Sequence, residues 1–131
     1  MSLDVPTAMI DAAERGEIDD AAFVAVVRDS LPYAWRVITT AVGDLATDPR
    51  VEYAQHATSP PDEQARGQLL RALASDAIRG SLERHFGVRL AFQNCHTLRA
   101  YRPSAVGGEG HREFTSARAQ VLNQTPELRD C

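Results

Sequence analysis

The chain contains no lysine: all 14 of its basic residues are arginine. Without a side-chain amine there is no protein Schiff base, so covalent pyridoxal phosphate chemistry is excluded. A phosphate loop of the GxxxxGK type is excluded for the same reason. Exclusive use of arginine is what GC-rich coding produces. Cysteine is almost as scarce. Cys95 and Cys131 share no paired metal-ligand or redox spacing, and both are expected as reduced thiols. No apolar run approaches the ~20 residues of a membrane span. The opening Met1-Ser2-Leu3-Asp4-Val5-Pro6 has neither a basic region nor a long apolar stretch, which argues against a signal peptide and for the cytoplasm. Also missing are a GxSxG elbow, an HExxH helix, a GxGxxG turn after a strand and an EF-hand loop.

What remains is a chain of 131 residues, 44% hydrophobic, with a net charge of −4. That length suits one domain with its own core. The charge is unevenly distributed. Residues 1–63 carry twelve acids against four arginines, a net −8, whereas residues 64–131 carry ten arginines against six acids, a net +4. Facing halves that neutralise one another account for this most simply; a basic surface for an anionic partner is the alternative.

Hydrophobic periodicity predicts a mainly α fold of four to five helices packed around a central one. Met9, Ile10 and Ala13 mark a first helix closed by Gly16. Asp19 or Asp20 caps a second, running through Ala21–Val27. Pro32 opens a third, with Asp29 or Ser30 as cap and Trp35, Ile38, Val42 and Leu45 as its stripe. Residues 47–60 read as a polar linker. The central helix is expected over about 61–86, from Pro61 to the stop at Gly87, with an apolar arc of roughly 220° at about 100° per residue. Alternation over 88–102 is a strand or hairpin pattern with Asn94 as a candidate turn, and a helix is the alternative for this segment. Residues 103–111 read as a flexible glycine-rich loop and 125–131 as a tail. Phe114, Ala117, Val121 and Leu122 mark a last amphipathic helix.

Three groups of residues could carry chemistry. Asn94, Cys95 and His96 concentrate polar, reactive types between two apolar stretches. A thiol site would need a base beside Cys95, and neighbours on a strand point to opposite faces. Cys95, His96, His111 and Cys131 would together make a zinc-type donor set, but they lack its spacing. Arg71, Arg79, Arg99 and Arg102 are candidate anion-binding residues, because guanidinium forks suit phosphate and carboxylate. On a helical wheel the arginines of 61–86 form no single stripe, so a groove-reading helix and nucleic acid are not expected. The tripeptide Asp29-Ser30-Leu31 matches the phosphopantetheine site of acyl carrier proteins, but Pro32 follows it and helix capping explains it better. No cofactor, metal or membrane is expected. Self-association is the expected partner class, with another protein possible in its place.

Two stretches carry a resemblance: Asp62–Gly80 continuing through His85–Phe92 into Gln93-Asn94-Cys95-His96, and Leu122–Cys131. With the opening segment they resemble a family of small actinobacterial proteins without an assigned activity. The resemblance implies a cytoplasmic bacterial protein of one domain, and it supplies no substrate, cofactor or site residue. The functional expectation is therefore a non-enzymatic interaction or regulatory module, with a thiol or metal site at Cys95 and His96, or an arginine anion surface, as alternatives.

Overall fold

A computed structural model describes residues 2–123. Its elements are α1 (Thr7–Glu14), α2 (Asp20–Ser30), α3 (Pro32–Thr47), β1 (Tyr53–His56), α4 (Glu63–Leu73), α5 (Asp76–Phe86), β2 (Arg89–Gln93), β3 (Thr97–Tyr101), α6 (Glu109–Phe114) and α7 (Ala117–Leu122). A 3-10 turn at Pro103–Ala105 precedes α6. The mainly α class and the hairpin over 88–102 are both present.

The three strands form an antiparallel sheet in the order β1-β3-β2, with Ala54 and Leu90 on either side of Ala100. The period of two divides its faces. Leu90, Leu98 and Ala100 join the helical core, where Val27, Leu31, Ile38, Leu69, Leu73 and Leu82 are at most 2% exposed. Each such side chain is worth roughly 1.5–3 kcal/mol when fully buried. The opposite face, with Tyr53, Ala91 and Tyr101, packs on Phe114 of α6.

The expected central helix over 61–86 is instead two helices. The Ser75 hydroxyl accepts from the Ile78 N–H at 3.3 Å and caps α5. Arg79 donates to the Leu73 carbonyl at 2.8 Å and closes the end of α4. The broad apolar arc has its cause here. Buried Ala65, Gln68, Leu69, Ala72 and Leu73 cover about 140° of α4, and Ile78, Ser81 and Leu82 about 100° of α5. Two narrower stripes on differently directed helices sum to one wide arc on a single wheel.

α3 runs between α2, α4 and the sheet, burying Ala34, Val37, Ile38, Ala41 and Leu45. Its cap is neither Asp29 nor Ser30. Leu31 occupies that position with no side-chain bond, and Gln68 of α4 supplies the acceptor: its Oε1 takes the N–H groups of Tyr33 at 2.7 Å and Ala34 at 3.3 Å. Ser30 turns away to accept from the Asp4 N–H at 2.9 Å.

Three further expectations change. The polar linker 47–60 contains β1, because β3 offers it a partner that local composition does not reveal. The loop 103–111 is ordered by the 3-10 turn and the start of α6. The single last helix is α6 and α7, divided where the Ser116 hydroxyl caps Ala119 at 3.1 Å. The tail 125–131 lies outside the described residues.

Candidate functional site

Asn94 and Cys95 form the β2–β3 turn, with φ of 53° and 51°. Asparagine tolerates this left-handed region; cysteine is strained there. Hydrogen bonds to Phe114 and Asn123 hold the turn. Gln93 donates from Nε2 to the Phe114 carbonyl, Asn123 donates to Gln93 Oε1, and Asn94 Nδ2 reaches the Asn123 carbonyl at 3.2 Å. Cys95 is disulfide-bonded rather than a free, reduced thiol, so it presents no thiolate to His96. Cys131 lies outside the described residues. His96 is buried beside His56 of β1. Burial pushes the His56 imidazole below its ordinary value, the Thr58 backbone bond opposes this, and the His96 charge adds to it. His56 Nε2 is buried without a partner. Among the described residues no group of three His, Cys, Asp or Glu side chains could hold a metal ion.

The four candidate arginines do not converge. Arg79 binds the Leu73 carbonyl and the Asp76 carboxylate, the latter at 2.6 Å. Arg102 donates to three carbonyls: Val51 at 2.7 Å, Leu45 at 2.6 Å and Asp48 at 2.7 Å. It thereby closes the end of α3 and anchors the approach to β1. Arg71 is exposed on the last turn of α4. Arg99 is partly buried on the sheet face covered by α6, its guanidinium carbon 4.1 Å from the ring centroids of both Tyr53 and Phe114. A hollow of about 750 Å³ between α5, β2 and α6 is lined by Arg79 and Arg89, yet Asp76 and Glu83 neutralise both.

The largely apolar recess lies elsewhere. No residue of α1 is buried, so α1 leaves a groove of about 680 Å³ against α2 and α5. Met9, Ile10, Ile18, Phe23 and Ala77 line it, with Ile10 48% and Ile18 42% exposed. Gly16, at φ 70°, lets the chain turn sharply after α1: the Glu17 and Gly16 N–H groups return to the Ala12 and Ala13 carbonyls. The rim carries the carboxylates of Glu14, Asp20 and Asp76 against one guanidinium, Arg84, which pairs with Asp20 at 3.3 Å. At the opposite end of the sequence, α7 exposes Val121 at 71% and Leu122 at 62% beside Arg118.

A family model described as "NucS shadow ORF" matches residues 1–131. The chain belongs to this family. The description places the family by its relation to NucS and states no activity. No curated protein and no solved structure matches the chain. Among the described residues no helix is long and apolar enough to cross a membrane. Family membership assigns no role to any residue, so the groove rests on geometry alone. Its signal was present in Met9, Ile10 and Ala13, whose helical spacing suggests a buried stripe. The spacing is real; what it faces is an open groove.

Proposed function

We propose that the chain is a non-enzymatic interaction module that associates head to tail with further copies of itself, α7 of one copy seated in the α1–α2–α5 groove of the next. The observation that carries this reading is the complementarity of two surfaces of one chain. The groove is apolar; on its rim Asp20 pairs with Arg84 and Asp76 with Arg79, and Glu14 is the remaining carboxylate. α7 offers the two most exposed large hydrophobic residues among those described, Val121 and Leu122, so the complementarity is apolar. One contact would cover Ile10, Ile18, Val121 and Leu122 together. A symmetric groove-to-groove contact would leave Val121 and Leu122 uncovered, so the heterologous arrangement is favoured.

The magnitude follows from burial. Four aliphatic side chains, each partly exposed at the outset, gain roughly 1–2 kcal/mol apiece. Association costs an estimated 4–15 kcal/mol in lost freedom. The contact is therefore weak, and its population rises with concentration. Sedimentation velocity from about 10 μM to about 1 mM tests it. The weight-average sedimentation coefficient should climb with concentration. Ile18→Asp and Leu122→Asp should each lower association at least about tenfold, equivalent to about 1.4 kcal/mol. A monomer at every concentration, or variants that associate like the parent, would remove the reading.

A further inference from the structure

Arg99 differs in its surroundings from the other arginines among the described residues. Eight arginines pair with carboxylates and Arg102 is sunk among carbonyls, whereas Arg36, Arg71 and Arg112 are exposed. Arg99 is partly buried with no carboxylate partner among the described residues. Rings cover both faces of its guanidinium, Tyr53 from β1 and Phe114 from α6, each with its centroid 4.1 Å from the central carbon. Two neutral oxygens fix its rotation in that slot. Nε donates to Gln55 Oε1 at 2.7 Å, and Nη1 donates to the Tyr101 hydroxyl at 3.1 Å.

Five N–H groups belong to a guanidinium, and these two bonds use two of them. Among the described residues Nη2 has no acceptor, and the Arg99 side chain is partly exposed. Gln55 commits its oxygen to Arg99 and is itself exposed, leaving its amide N–H groups free beside the same fork. The result is a partly exposed cation whose plane is set in advance, which has no carboxylate partner among the described residues and has an amide next to its fork. Fixing the fork beforehand removes the rotamer cost that a free arginine meets on binding.

We propose that Arg99, with Gln55, is a binding site for an oxyanion, the carboxylate or phosphate group of a small ligand, on the sheet face beside α6. The stacked rings hold the fork and Gln55 adds a neutral donor, so the site reads charge and shape together. It is independent of the α1–α2–α5 groove and of self-association.

The test is a titration of the full chain with inorganic phosphate and, separately, with acetate, at constant ionic strength set by chloride. The ¹⁵N–¹H resonance of Arg99 Nε is followed in the parent, and the backbone amide resonances of residues 55, 99 and 100 are followed in the parent and in both variants. Saturable movement with phosphate, acetate or both supports the site and identifies the group it prefers. Gln55→Ala alters an exposed residue and leaves the ring stack in place; it should weaken binding several-fold. Arg99→Lys keeps the charge but loses the fork, and should weaken it at least tenfold. Linear drift identical to that with chloride alone would overturn the proposal, as would unchanged affinity in both variants.

Discussion

Arg102 sits where three backbone carbonyls converge, and these bonds contribute to stability. Replacing it with methionine leaves the carbonyls of Leu45, Val51 and Asp48 without their donor. Charge-assisted bonds of this kind contribute about 1.5–3 kcal/mol each, and the three share one side chain, so a loss of about 2–4 kcal/mol is expected in urea denaturation. His56 makes stability depend on pH. Its folded value lies below the ordinary one near 6.5, chiefly through burial. The unfolded chain therefore binds the proton more readily. The contribution of neutral His56 is complete above about pH 6.5 and is lost as pH falls toward the folded value. The urea midpoint should drop between pH 7.5 and pH 5 in the parent, and less in His56→Phe. At this scale the sequence placed Arg99 on the polar parity of its strand correctly. It could not name the partners, because Tyr53, Gln55 and Phe114 arrive from β1 and α6 through tertiary packing.

Between elements, Gln68 joins α4 to the start of α3. Pro32 opens α3 but carries no side-chain acceptor, and Leu31 before it has none either, so the first N–H groups depend on a glutamine 35 positions away from Tyr33. Gln68→Leu keeps the volume and removes the acceptor. It should cost about 1–3 kcal/mol, the penalty of unsatisfied buried donors, measured as a shift in the denaturation midpoint. Ser75→Ala removes the cap of α5 and should cost about 1 kcal/mol by the same measurement. Helices with strong local punctuation were legible: Gly16, Asp19, Pro32 and Gly87 all act as their residue types suggest. The break at Ser75-Asp76 carried a capping signature too, but an unbroken run of apolar periodicity masked it. β1 was not legible, since four residues become a strand only because β3 lies beside them. The Cys95 disulfide likewise had no local sign, since no paired cysteine spacing surrounds Cys95.

For the molecule as a whole, the division of charge along the sequence takes on a spatial sense. Acidic residues from the first half and Asp76 ring the groove, while the exposed apolar pair belongs to the arginine-richer second half. Facing halves within one chain and facing surfaces on successive chains are different consequences of the same distribution. Mixing separates them. Ile18→Asp disables the groove and leaves α7 intact; Leu122→Asp does the reverse. Sedimentation of an equimolar mixture at the highest concentration used for the parent is the most direct measurement. Each variant alone should remain a monomer, and the mixture should form a complex of two chains that grows no further, because one working groove meets one working α7. A mixture that stays monomeric where the parent associates, or that assembles beyond two chains, would contradict the head-to-tail account.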